Sequence, residues 1–143
     1  MIIYSSSDRI PVRMGDVVIY ISPLTHGQKI AVNSANTIRA GKEVIDGIKM
    51  AFLAIKFAVK GIEGIIDITG NKYELKFTPE GVLEDSCVDD LMGLDHAEDL
   101  AVICVKLIDG IGAAKQIAKS KGLSAQIDLP EPKVTKKKLG AVS

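Results

Sequence analysis

The sequence has no tryptophan and only three phenylalanines and three tyrosines among 143 residues. Its core must therefore be aliphatic. Cysteine is also scarce: Cys87 and Cys104 are the only two, and both fall in apolar-periodic segments. That usage points to reduced, buried thiols in a cytosolic protein. The formal net charge is zero, which argues against a general nucleic-acid binder. The longest apolar stretch is broken by Asp46, Lys49 and Lys56, so it cannot span a membrane. The opening MIIYSSSDRI has neither a basic region nor a long apolar run, which excludes a signal peptide there. There is no repeat of solenoid length.

What is present fits one domain with a real core. Apolar residues make up 47% and charged residues 25%, ordinary for a soluble globular protein. The charge is unevenly spread. Residues 80–99 hold eight acids and no Lys or Arg, whereas 115–138 hold seven Lys and two acids. The most prominent stretch is KEVIDGIKMAFLAIKFAVKGIE, residues 42–63. Its charges recur at intervals of three, four and seven, which predicts a helix with most of the charge on one side. Val44, Ile45, Ile48, Phe52, Ile55, Val59 and Ile62 line the other side, widened by Met50, Leu53 and Phe57. Such a face must be covered by its own domain or by a partner. Ile48, Phe52, Ile55 and Val59 are the candidate core or partner-binding positions.

Along the chain, residues 9–14 and 17–21 are β-prone runs around Gly15-Asp16 and predict a hairpin. Thr25-His26-Gly27-Gln28 fits a capping box opening a helix to about Ala40, weak in its apolar face. Residues 65–69 and 72–78 flank Gly70-Asn71; Tyr73, Leu75 and Phe77 alternate with charged residues, predicting a second hairpin. A short helix is expected over 86–92, capped by Asp85 or Ser86 and stopped by Gly93. Asp95-His96-Ala97-Glu98 reads as a second capping box for a helix running to Gly122, weakened by Gly110 and Gly112. The expectation is an α+β domain over 1–126, two β-hairpins packed with two main helices, followed by a flexible basic tail over 127–143.

Candidate chemistry is thin. Cys87 or Cys104 with His26 or His96 lies in no recognisable nucleophile context, and both thiols fit helix faces as small hydrophobes. The same four residues lack the close ligand pairs of structural zinc sites. The acids Glu84, Asp85, Asp89, Asp90, Asp95, Glu98 and Asp99 lack EF-hand spacing and fit a solvated helix face. Gly110-Ile111-Gly112-Ala113-Ala114-Lys115 departs from the phosphate-loop pattern and is expected mid-helix. No catalytic residue, metal or cofactor is expected.

The order of features resembles the tail assembly chaperones of long-tailed bacteriophages. The likeness covers about residues 9–110 loosely and rests on RIPVRMGDVVIYISPLTHGQK, with its Pro23-Leu24-Thr25 turn into helices, the helical middle, and NKYELKFTPEGVLEDSCVDDLMGL. The resemblance implies a small non-catalytic protein of the host cytoplasm, not an enzyme. It implies binding to the apolar tape measure protein and recruitment of tail tube protein, with a homo-oligomer expected. It also implies a longer form made by ribosomal frameshifting, for which the A-rich codons of Lys136-Lys137-Lys138 are the candidate site. The alternative is a structural virion subunit, a head–tail connector or a tail-tube-associated protein.

Overall fold

The computed structural model describes residues 5–120, with the backbone alone for 36–39. The first hairpin forms: β1 (Ile10–Met14) pairs antiparallel with β2 (Val17–Ile21). Ile10, Val12, Ile19 and Ile21 are completely buried, so both strands turn alternate aliphatic residues into the core. Pro11 lies on the edge strand, where its missing N–H costs no ladder bond. Helix α1 (His26–Asn33) opens with the expected capping box. Gln28 N–H donates to Thr25 Oγ1, and Thr25 N–H donates to Gln28 Oε1.

Beyond α1 the architecture departs from two hairpins and two main helices. Among the described residues there are five α-helices, an open three-stranded sheet and a separate two-stranded ribbon. The helix expected over 26–40 ends at Asn33. Asn36–Arg39 is β3, and Lys42–Ile45 is β4, paired across the two-residue turn Ala40-Gly41. Both turn residues have positive φ, 52° and 76°, the backbone of a type I′ turn. The single helix expected over 42–63 is likewise three elements. Asp46 caps a new helix, α2 (Gly47–Ala58), by accepting the Lys49 N–H. The chain then extends as β5 (Val59–Glu63) and pairs with β2 in the order β1-β2-β5. Sheet pairing and burial of Val59 and Ile62 outweigh the helical spacing there. Glycine is required just past β5: Gly64 has φ of 92°, and a Cβ there would lie 2.2 Å from the Asp16 carbonyl oxygen.

The second hairpin does not form a ladder. Only the single bridges Ile66–Lys72 and Phe77–Leu83 occur. Asp67 organises a side-chain turn with Thr69 and Asn71 instead. The following residues bond toward α3 (Asp85–Met92): Lys76 N–H donates to Cys87 Sγ, and Glu84 N–H donates to the Lys76 carbonyl. The cap of α3 is Glu84, with no side-chain bond. The long C-terminal helix is also divided. Helix α4 (Ala97–Lys106) leads into a 3₁₀ turn, Leu107–Asp109, before α5 (Ile111–Ser120). Gly110, at φ of 107°, separates them. His96 caps α4 without a side-chain bond, so the second capping box is absent. The tail over 127–143 lies outside the described residues.

Helix α2 packs against α1, α3 and α4, and α4 packs against α5. Ala54, Ile55 and Ala58 of α2 join Leu83, Val88, Leu91, Leu100, Ile103 and Leu107 in one aliphatic cluster with the sheet. The core thus holds the C-terminal half of α2 and leaves its first turn at the surface.

Candidate functional site

Among the titratable and nucleophilic groups, Tyr73, Cys87 and Asp90 come together. Among the described residues, no three His, Cys, Asp or Glu side chains converge as a metal site. Cys104 is fully buried, and desolvation pushes its thiol up to about 12, so it stays protonated. Cys87 is buried and accepts the Lys76 N–H at 3.4 Å. His96 Nδ1 faces Asp99 at 3.7 Å on the surface. Tyr73 donates to Asp90 at 2.6 Å; burial, and then the Asp90 bond, raise its pKa. Lys60 donates to the Gly81 carbonyl at 3.0 Å, and burial lowers its pKa, with Arg9 adding to that effect. Hydrogen bonding from Thr69 holds Asp67 below its usual range.

The clefts among the described residues include three open ones. One of about 510 Å³ lies beside α5 at Lys106, Ala113 and Gln116, and one of about 310 Å³ lies between β5 and residues 72–77. A third, of about 330 Å³, lies at Leu24, Lys29 and Gly110–Gly112. That last glycine segment begins α5 and is not mid-helix as the sequence suggested. None of the three is lined by a His or Cys.

The apolar surface is more distinctive. Val44, Ile45 and Ile48 follow one another through the β4–α2 junction, and all three are exposed, Ile45 by 70% and Ile48 by 77%. The local sequence explains this. Asp46-Gly47 ends β4 and starts α2, and all four β4 positions are exposed. Ile30 of α1, which packs beside α2, is exposed as well. A second group, Ile66, Ile68 and Phe77, lies on the connection between β5 and α3.

The four positions singled out from the sequence therefore have different surroundings. Ile55 and Val59 are completely buried, Phe52 is half-buried against the core, and Ile48 faces solvent. Val44 and Ile45 lie on the ribbon instead of on a helical face. The signals for that were local: β-branched residues after Ala40-Gly41, and the Asp46-Gly47 break. No family model, curated protein or solved structure matches the chain.

The described helices include none long and apolar enough to cross a membrane.

Proposed function

We propose that this is a non-catalytic interaction protein, a tail assembly chaperone of a long-tailed bacteriophage acting in the host cytoplasm. It covers an apolar segment of the tape measure protein and helps recruit tail tube subunits. The observation that carries the reading is the exposed run Val44, Ile45 and Ile48 at the β4–α2 junction. Large aliphatic side chains left exposed at one junction favour an apolar partner, since covering each one contributes roughly 1.5–3 kcal/mol. The order of sequence features shared with that chaperone family supplies the choice of partner.

The test is co-expression of the full chain with a tagged apolar helical segment of a tape measure protein. The reading predicts a co-purifying complex and a soluble segment. Ile48→Asp, at a solvent-facing position, should abolish co-purification while leaving the circular dichroism spectrum unchanged. A segment that stays insoluble with the wild-type chain, or a complex indifferent to Ile48→Asp and to Ile45→Asp, contradicts it.

A further inference from the structure

The β3–β4 ribbon is two strands wide, and two strands alone are marginal in water. Its two-residue turn fixes which backbone groups it uses internally. The pair flanking such a turn exchanges hydrogen bonds, and bonded pairs recur at every second residue. Arg39–Lys42 and Thr37–Val44 are thus the bonded pairs. The Asp46 N–H continues the series by donating to the Ala35 carbonyl at 2.9 Å. The backbone groups of Lys42, Val44 and Asp46 face β3. Those of Glu43 and Ile45 face outward along the open edge of β4.

We propose that this edge pairs with the same edge of a second copy, antiparallel, about a two-fold axis through Val44. Outward-facing residues must meet outward-facing residues, which leaves few registers. Glu43 opposite Glu43 forces Ile45 against Gly41, beyond the strand and inside the turn. Ile45 opposite Ile45 forces Glu43 against Gly47, beyond the strand and inside α2. Glu43 opposite Ile45 remains. It forms two bonded pairs, each exchanging two hydrogen bonds, and sets Val44 against Val44 where facing side chains lie closest. It also sets Lys42 opposite Asp46, twice by symmetry. This charge complementarity selects a second copy as the occupant. Asp46 uses Oδ1 to cap α2, and Oδ2 is the atom that the lysine would reach. The product is a four-stranded sheet, in place of two strands that are marginal alone.

The inference stands apart from the choice of tape measure partner, because it is tested on the full chain alone. Sedimentation should show a concentration-dependent dimer. Ile45→Pro removes an outward N–H while sparing the bonds to β3, and should leave a folded monomer. Lys42→Asp should weaken dimerisation by roughly tenfold, since two exposed pairs are lost together and like charges meet. Mild oxidation should join Val44→Cys to itself and leave Lys42→Cys and the wild-type chain, with its two buried thiols, uncrosslinked. A chain that is monomeric at every accessible concentration overturns the proposal. So does a dimer unaffected by Ile45→Pro, or a Lys42→Cys chain that crosslinks as readily as Val44→Cys.

Discussion

Ile48 and Ile55 lie on the same helix, α2, and have opposite surroundings: Ile48 faces solvent and Ile55 is completely buried. Ile55→Ala should therefore destabilise the fold by roughly 2–5 kcal/mol, from lost burial plus the cavity left behind. Ile48→Ala should change stability by about 0.5 kcal/mol or less. Urea titration of both variants checks the contrast; equal losses would place Ile48 in the core. Cys104 carries a pH dependence of definite sign. Below its ordinary thiol value of 9.0 both folded and unfolded chains hold the proton, and the thiol contributes fully to stability. As pH rises toward about 12 the unfolded thiol ionises first, so that contribution is lost. Cys104→Ala should flatten the fall in unfolding midpoint across that window, measured by urea unfolding at stepped pH. An unchanged slope would show that the thiol is not desolvated.

At the scale of elements, the turn of the ribbon departs most from local preference. Ala40 adopts φ of 52°, a conformation that asparagine tolerates better than alanine. Ala40→Asn should stabilise the chain by about 0.5–1 kcal/mol, read as a rise in thermal midpoint. A falling midpoint would mean that the ribbon does not turn there. The elements legible in the sequence were those with local signals. Two β-prone runs and a tight turn marked β1–β2, and the Thr25–Gln28 box marked the start of α1. Residues 42–63 misled because apolar spacing of three and four fits a continuous helix. Its true breaks depend on the Asp46 cap and on the pairing of β5 with β2, a partner 45 residues earlier at Val18–Glu63 and 38 at Ile21–Val59. Likewise, the alternation of Tyr73, Leu75 and Phe77 reads as a strand. Its backbone and side chains are instead engaged by Glu84, Cys87 and Asp90, long-range contacts with no local signature. The candidate surface was half legible: Ile48 was singled out, but its neighbours Val44 and Ile45 were assigned to a helical face.

At the scale of the molecule, the aliphatic core and the exposed junction divide the work. The sheet, α3, α4 and the second half of α2 hold the fold, while β4 and the first turn of α2 present apolar side chains outward. The edge of β4 and its side-chain faces are distinct surfaces, so pairing of two copies along the edge leaves Ile48 on α2 for a partner. The central claim is that this junction is where the protein binds. Hydrogen exchange of the full chain, with and without an apolar tape measure segment, tests it most directly. The account predicts slowed exchange concentrated in residues 42–50, with amides of the β1–β2–β5 sheet unchanged. Protection appearing elsewhere, with residues 42–50 exchanging as fast as before, would contradict it.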